Sequence, residues 1–210
     1  MSLTDFLKYN DCISWASFPY LKDKVTNAMY TINGSATPYT LSNSTKALYF
    51  NGASYIDGFN YTLGPTFTIS VWINQTVTPV SSGVSNTIYS CADSDYSSYI
   101  RLRILSTNQL VFNCDVSSHA YSQISQLVNN EWYHVVAVHT PTSITLYVNG
   151  VFVGTSTGTM GLDQIVDINV GAYTATNGSF FTGYMKNLMI FNDALSLTQV
   201  QKLYYYTYIS

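Results

Sequence analysis

Charge is scarce in this sequence. Only 9% of the 210 residues are Asp, Glu, Lys or Arg, against ~25% in an average soluble domain. Ser, Thr, Asn and 19 tyrosines carry the polarity instead, so the surface hydrogen-bonds more than it steers by charge. Eight Lys plus Arg and a net charge of −3 leave no basic stripe to neutralise a phosphate backbone, which argues against nucleic acid as a partner. No apolar run approaches the ~18 to 20 residues of a membrane-spanning helix, so no membrane insertion is expected, and the opening MSLTDFLKYNDC lacks a signal peptide's apolar core. The three cysteines, Cys12, Cys91 and Cys114, are odd in number and without metal-like spacing, so they do not make a disulfide framework. Glutamate is reduced to Glu131 alone.

What is abundant is short β-branched and aromatic runs. The stretch NNEWYHVVAVHTPTSITLYVNGVFVGT, residues 129–155, holds three of them, 132–139, 144–148 and 151–153, each too short for a helix. Asn149-Gly150 joins the last two. Both residues tolerate positive φ, which suits a two-residue type I′ turn, so the chain doubles back here as a hairpin.

Further strands are expected over 12–18, 28–32, 47–50, 67–74, 87–91, 99–105, 109–115, 120–128, 165–173 and 183–191, separated by polar turns such as Asn33-Gly34, Asn51-Gly52 and Thr107-Asn108. In FTISVWIN, Phe67, Ile69, Val71 and Ile73 alternate against Thr68, Ser70, Trp72 and Asn74, which reads as a central strand with Trp72 packing on its second face. Residues 1–7 read as a polar start and 76–86 as a surface loop. If 87–91, 99–105 and 110–114 run consecutively as a meander, Cys91 and Cys114 lie two strand spacings apart, about 9.6 Å, out of disulfide reach. Near the C-terminus, Ser196 and Gln199 form a capping box, with Leu195 and Val200 placed as a hydrophobic staple, so a short helix to about residue 204 closes the chain. About a dozen evenly spaced strands with no linker and one terminal helix imply a single domain over 1–210 built of two packed antiparallel sheets.

The order ALYFNGASYI, FTISVWIN, NEWYHVVAVHT, LYVNGVFVG, INVGAY and FTGYMKNLMIFNDALSLTQVQKLY resembles the concanavalin A-like lectin/glucanase superfamily, in its laminin-G-like and pentraxin-like branch, over roughly 47–204. The resemblance implies an all-β jelly-roll sandwich whose concave face or rim loops bind carbohydrate or a protein partner. Fold analogy by itself transfers no ligand. Such domains often carry an Asp on the last long strand that helps hold a structural calcium. Here Lys186 occupies that position in GYMKNLMIF, and an ammonium repels a dication that needs several oxygen ligands. The calcium site is therefore expected to be absent, with no cofactor required. Lys186 either replaces the metal's charge by reaching Asp23 or nearby carbonyls of the N-terminal turn, or stands as a solvated surface lysine.

Enzymes of this superfamily that cleave β-glucans carry a Glu-x-Asp-x-Glu-like cluster, because a retaining glycosidase needs two carboxyls ~5 to 5.5 Å apart. Glu131 lies at a strand start, Asp93 and Asp95 in the turn DSDYSS, and Asp163 and Asp167 beside another strand start, all ordinary structural positions. His134 and His139 lie five apart on one strand and face opposite sides, so they cannot share a metal; both read as core-edge or surface residues. No Gly-rich phosphate loop or nucleophile elbow occurs. The sequence reads as non-enzymatic.

Recognition of a sugar needs aromatic faces and flanking amide, hydroxyl or guanidinium groups. The candidates are Tyr96, Tyr99, Arg101, Arg103, Asn113, His119, Tyr121 and Tyr173. Arg101 and Arg103 alternate against Ile100, Leu102 and Ile104 and share a face, from which they could fork onto the carboxylate or sulfate of an acidic glycan. The competing reading makes them solvated charges that keep a charge-poor protein soluble. The expected function is carbohydrate-binding recognition or adhesion at a cell or virion surface. Two alternatives stand beside it. One is a structural module that self-associates as a homo-oligomer or packs on neighbouring surface proteins; the other is a divergent polysaccharide hydrolase or lyase. Five glycosylation sequons, at Asn33, Asn43, Asn60, Asn74 and Asn177, would act only in a secretory pathway.

Overall fold

The computed structural model describes residues 2–59, 61–80, 85–93, 99–114, 127–157, 167–173, 175–176 and 178–208. Among them a helix α1 (Leu3–Tyr9) leads into strands β1 (Cys12–Ala16), β2 (Thr31–Asn33), β3 (Thr37–Thr40), β4 (Lys46–Asn51), β5 (Tyr55–Asp57), β6 (Phe67–Gln75) and β7 (Asn86–Ala92). There follow β8 (Tyr99–Ile104), β9 (Leu110–Cys114), β10 (Tyr133–Thr140), β11 (Ser143–Val148), β12 (Val151–Thr157), β13 (Asp167–Val170), β14 (Thr182–Phe191) and helix α2 (Leu197–Tyr208). They form two antiparallel sheets, one ordered β12-β11-β10-β6-β14-β4-β3 with β1 also on β14, the other β2-β5-β13-β7-β8-β9. This is the jelly-roll sandwich expected from the sequence.

The pattern of β6 shows why the sheets stack. Phe67, Ile69, Val71 and Ile73 point between the sheets, where they meet Phe50, Ile88, Tyr89, Phe112 and Phe181 in one continuous core. Truncating one of these large side chains to alanine costs roughly 3–5 kcal/mol. The other face of β6 is equally dry. Both helices lie across it, so Phe6, Leu7, Val200 and Leu203 join Val136, Val138, Met189 and Phe191 in a second cluster. Trp72 stacks on Tyr204 at 5.6 Å between ring centres, and its Nε1–H donates to Thr207 Oγ1 at 2.8 Å.

Local chemistry sets the turns and ends. Asn149 and Gly150 take φ of 50° and 76° and place Val148 opposite Val151, the hairpin that the dipeptide demands. Ser196 N–H donates to Gln199 Oε1 at 2.7 Å in the expected capping box, while Leu195 and Val200 are both buried in the second cluster. A Cβ on Gly183 would lie 2.2 Å from the Asn74 carbonyl oxygen, so only glycine lets β14 approach β6 this closely.

Several expectations need correction. Residues 2–7 are more than a polar start: Ser2 and Asp5 cap α1 reciprocally, and Phe6 and Leu7 are buried. The strand expected at 28–32 begins only at Thr31, Met29 making an isolated bridge to Lys22. The edge strand β3 is exposed throughout and contains Pro38, and β5 is three residues long, so neither shows a readable alternation. Most of the strand expected at 120–128 lies outside the described residues. His134 and His139 do face opposite sides, but both are fully buried, not at the surface. His134 Nε2 is hydrogen-bonded to Ser70 Oγ at 2.8 Å under α2, and His139 stacks on Phe67 in the core.

Candidate functional site

Strands β13, β7, β8 and β9 lie side by side, and their outward residues make one surface. On β8, Ile100, Leu102 and Ile104 fill the core, which turns Tyr99, Arg101 and Arg103 outward. The register then sets Arg101 opposite Asn113 on β9 and Ser90 on β7. Tyr173, just beyond β13, brings its ring over this surface. The Arg101 guanidinium carbon lies 4.2 Å from the Tyr173 ring centre, and Tyr99 meets Tyr173 edge-to-face at 5.8 Å. Five of the eight candidates therefore converge: Tyr99, Arg101, Arg103, Asn113 and Tyr173. Tyr96, His119 and Tyr121 lie outside the described residues.

The two arginines do different things. Arg101 is only 8% exposed. Its Nε donates to Thr87 Oγ1 at 3.0 Å, and its Nη2 donates to Ser85 Oγ at 2.7 Å and to Thr87 Oγ1 at 2.8 Å. Burial, and then the neighbouring charge of Arg103, draw its pKa down to about 10, so it remains a cation at neutral pH. The solvated reading fails for this residue. Arg103 is half-buried and donates from Nε to Asn113 Oδ1 at 3.0 Å. Its two terminal nitrogens have no hydrogen-bond partner among the described residues.

Asn113 completes the arrangement. Because Arg103 can only donate, Asn113 Oδ1 must be the atom that faces it, and Nδ2 is left as the free end. Asn113 is 1% exposed and its Nδ2 has no partner among the described residues. A buried, unpaired amide donor costs about 1–3 kcal/mol, a cost that a bound acceptor would remove. Ser85 and Thr87, which hold Arg101, were missed in the sequence, although Thr87 stands on a strand that was recognised; nothing in spacing alone ties it to Arg101.

Lys186 corrects a further expectation. It is neither at the surface nor beside Asp23: its ammonium lies 5.2 Å from the Trp72 ring centre and 5.7 Å from that of Trp132. Asp23 accepts instead from Ser14 Oγ at 2.5 Å, from the backbone N–H groups of Trp15, Val25 and Thr26, and from the Tyr30 hydroxyl. Burial acts to raise the Asp23 pKa, but these hydrogen bonds outweigh it and hold the carboxyl below its ordinary value. No cluster of three or more His, Cys, Asp or Glu side chains suited to a metal occurs among the described residues.

A cavity of about 780 Å³ opens elsewhere, between α1 and the 22–27 turn, with walls from Leu7, Cys12, Trp15 and Val25. The Lys24 ammonium covers the Trp15 ring at 3.9 Å there. Thr4, Lys8, Lys22, Asp23, Lys24 and Asn27 also line it. None of the described candidate sugar-binding residues does, and the Asp23 carboxylate there is already occupied by its own donors.

Two packed antiparallel sheets of this order make a jelly-roll sandwich. The sequence pattern of the concanavalin A-like lectin/glucanases superfamily, in its laminin-G form, matches residues 54–201. The chain belongs to that superfamily. A comparison with curated protein sequences finds no match. Among solved structures, domain 4 of AbnA, a GH43 extracellular arabinanase from Geobacillus stearothermophilus in complex with arabinotriose, is similar at 19% identity and a TM-score of 0.74, covering 92% of this chain and 98% of that one. Botulinum neurotoxin type C, whose way into cells depends on interaction with two ganglioside molecules, is similar at 16% identity and a TM-score of 0.75. This chain is covered completely in that comparison, but the neurotoxin chain only to 53%. The binding domain of botulinum neurotoxin DC in complex with SialylT shows 16% identity and a TM-score of 0.72, over 95% of this chain and 51% of that one. The chain thus spans about half the length of the neurotoxin structures it matches. At these identities the likeness is one of fold.

Proposed function

We propose that this chain is a non-enzymatic carbohydrate-recognition module that works outside a cell or on a particle surface, and that it takes an acidic glycan on the outer face of β13, β7, β8 and β9. The observation that carries the reading is the pairing of Arg103 with Asn113: a guanidinium whose two terminal nitrogens, and beside it a buried amide donor, have no partner among the described residues. Both groups want an acceptor, and a carboxylate or sulfate supplies two. Tyr99 and Tyr173 offer ring faces to the sugar's C–H surface. Arg101, locked by Ser85 and Thr87, positions Tyr173 and adds positive potential. The complexes with arabinotriose and with SialylT, and the dependence on gangliosides, support a sugar as the ligand class.

Asp167 opens β13 opposite Ala92, the last residue of β7, and no metal-binding cluster of three or more acidic, His or Cys side chains occurs among the described residues. The test is binding to sialylated and sulfated oligosaccharides by wild type and Arg103→Ala. Retention of binding in the variant would refute the assignment.

One observation favours a second reading, a self-associating structural module. The edge strand β12 exposes Val151 (61%) and Phe152 (50%), and an uncovered edge can pair with a second copy. A molecular size that rises with concentration in light scattering, with no response to any sugar, would support it over recognition.

A further inference from the structure

The first sheet carries a small pocket on the face away from the core, two residues along β6 from Trp72. On the side away from the core, Tyr49, Tyr184 and Asn74 follow one another across β4, β14 and β6, since Tyr184 is paired with both Tyr49 and Asn74. Trp132, immediately before β10, extends the row, and Tyr39 reaches in from β3. Tyr184 lies 4.5 Å from Tyr39, 5.0 Å from Tyr49 and 6.5 Å from Trp132 between ring centres. Together Tyr39, Leu41, Ser42, Asn74, Trp132 and Tyr184 line a pocket of about 220 Å³.

A patch of aromatic rings would by itself be packing left at a surface. Asn74 makes it more than that. It is 7% exposed, it lines the pocket, and its Oδ1 has no hydrogen-bond partner among the described residues. Leaving a buried acceptor unpaired costs about 1–3 kcal/mol, a cost that a ligand hydroxyl would relieve. Asn74 also heads a glycosylation sequon. Burial in β6 removes it from modification.

From these contacts we infer that the pocket binds a single neutral sugar ring, with one hydroxyl donating to Asn74 Oδ1 and a C–H face against Tyr184 and Trp132. Aromatic surroundings also suit quaternary ammonium ligands. Here the Lys186 ammonium already lies against the Trp132 ring at 5.7 Å, and like charge turns such a ligand away. The pocket is smaller than the ~300–1,000 Å³ of drug-sized sites, which limits it to one ring. The surface lies on the opposite sheet from Arg103, and the inference stands independently of the acidic-glycan site.

The test uses the full chain carrying Arg103→Ala, which silences the other surface, with the tryptophan indoles labelled for NMR. The probes are the methyl glycosides of glucose, galactose, mannose and xylose, each titrated separately, and tetramethylammonium. The expected result is a saturable shift of the Trp132 indole with at least one glycoside, weakened at least tenfold by Asn74→Ala and by Ser42→Trp. Ser42 sits on an exposed turn, so its replacement blocks the pocket without disturbing the sheet and decides the matter if Asn74→Ala does not fold. No saturable shift with any of the four glycosides, a response to tetramethylammonium alone, or a shift unchanged in Ser42→Trp would overturn the inference.

Discussion

Arg101 holds its guanidinium 4.2 Å above the centre of the Tyr173 ring while donating to Thr87 and Ser85 from its other side. A cation that alternation turns outward is thereby buried between an aromatic face and two hydroxyls. The terminal nitrogens of Arg103, two residues on, have no partner among the described residues. The candidate site thus separates into a framework arginine and a ligand-facing one.

That separation is measurable. Arg101→Ala forfeits three hydrogen bonds and the ring contact and should cost about 1–3 kcal/mol, a fall of several degrees in Tm. Arg103→Ala gives up one hydrogen bond and leaves Asn113 Oδ1 without its donor, so it should cost about 1 kcal/mol, less than Arg101→Ala. Chemical denaturation of the two single variants checks this; equal losses would contradict the division of roles.

His134 makes stability depend on pH. Full burial, and then the Lys186 charge, depress its pKa from 6.5 to about 3, and burial also lowers that of His139. The unfolded chain therefore binds the extra protons first, so stability is complete above about pH 6.5 and declines as pH falls. For His134 the slope approaches about 1.4 kcal/mol per pH unit below pH 6.5, and His139 adds in the same direction. Denaturation midpoints between about pH 6.5 and 4.5, above the main carboxylate range, should fall in wild type and fall less steeply in His134→Gln.

Asp23 organises the N-terminal turn and should do so without calcium. Five donors occupy its oxygens, so Asp23→Ala leaves several of them unpaired and should destabilise by about 2–4 kcal/mol. Because its folded pKa is lowered, its contribution is present above the ordinary carboxylate value and is lost as pH falls through the folded one. Millimolar calcium should leave Tm unchanged; a rise of many degrees would show a metal site that this donor set does not suggest.

The cysteines give a simple check on the core. Cys91 and Cys114 are free and buried, and burial raises the Cys91 and Cys12 thiols far above their ordinary value, Cys12 to about 12. The Cys114 thiol lies 3.3 Å from His139 Nε2, while His139 Nδ1 is 2.9 Å from the Pro65 carbonyl oxygen. The Cys91 and Cys114 thiols should resist a thiol-specific reagent in the native protein and react on unfolding, whereas Cys12, half-buried at the cavity wall, is slowed chiefly by its raised pKa.

Strand alternation made most of this fold legible. FTISVWIN fixed β6 and the inward set Phe67, Ile69, Val71 and Ile73, and Asn149-Gly150 fixed the hairpin. What escaped were elements whose signal lies in tertiary context: β3 is exposed along its length, β5 is too short, and α1 shows Phe6 and Leu7 as its only buried positions. At the site, alternation brought Arg101 and Arg103 to one face but could not tell that Thr87 and Ser85 would claim the first. Lys186 was harder still. Its partners, Trp72 and Trp132, are far off in sequence and meet it only through pairing of β14 with β6 and of β6 with β10.

The most direct measurement is a glycan-array comparison of wild type, Arg103→Ala and Asn113→Ala at one ionic strength. The account predicts that wild type binds sialylated or sulfated glycans and that both variants lose this signal while remaining folded. Undiminished binding by both folded variants, or silence of the folded wild type toward every acidic glycan, would contradict it.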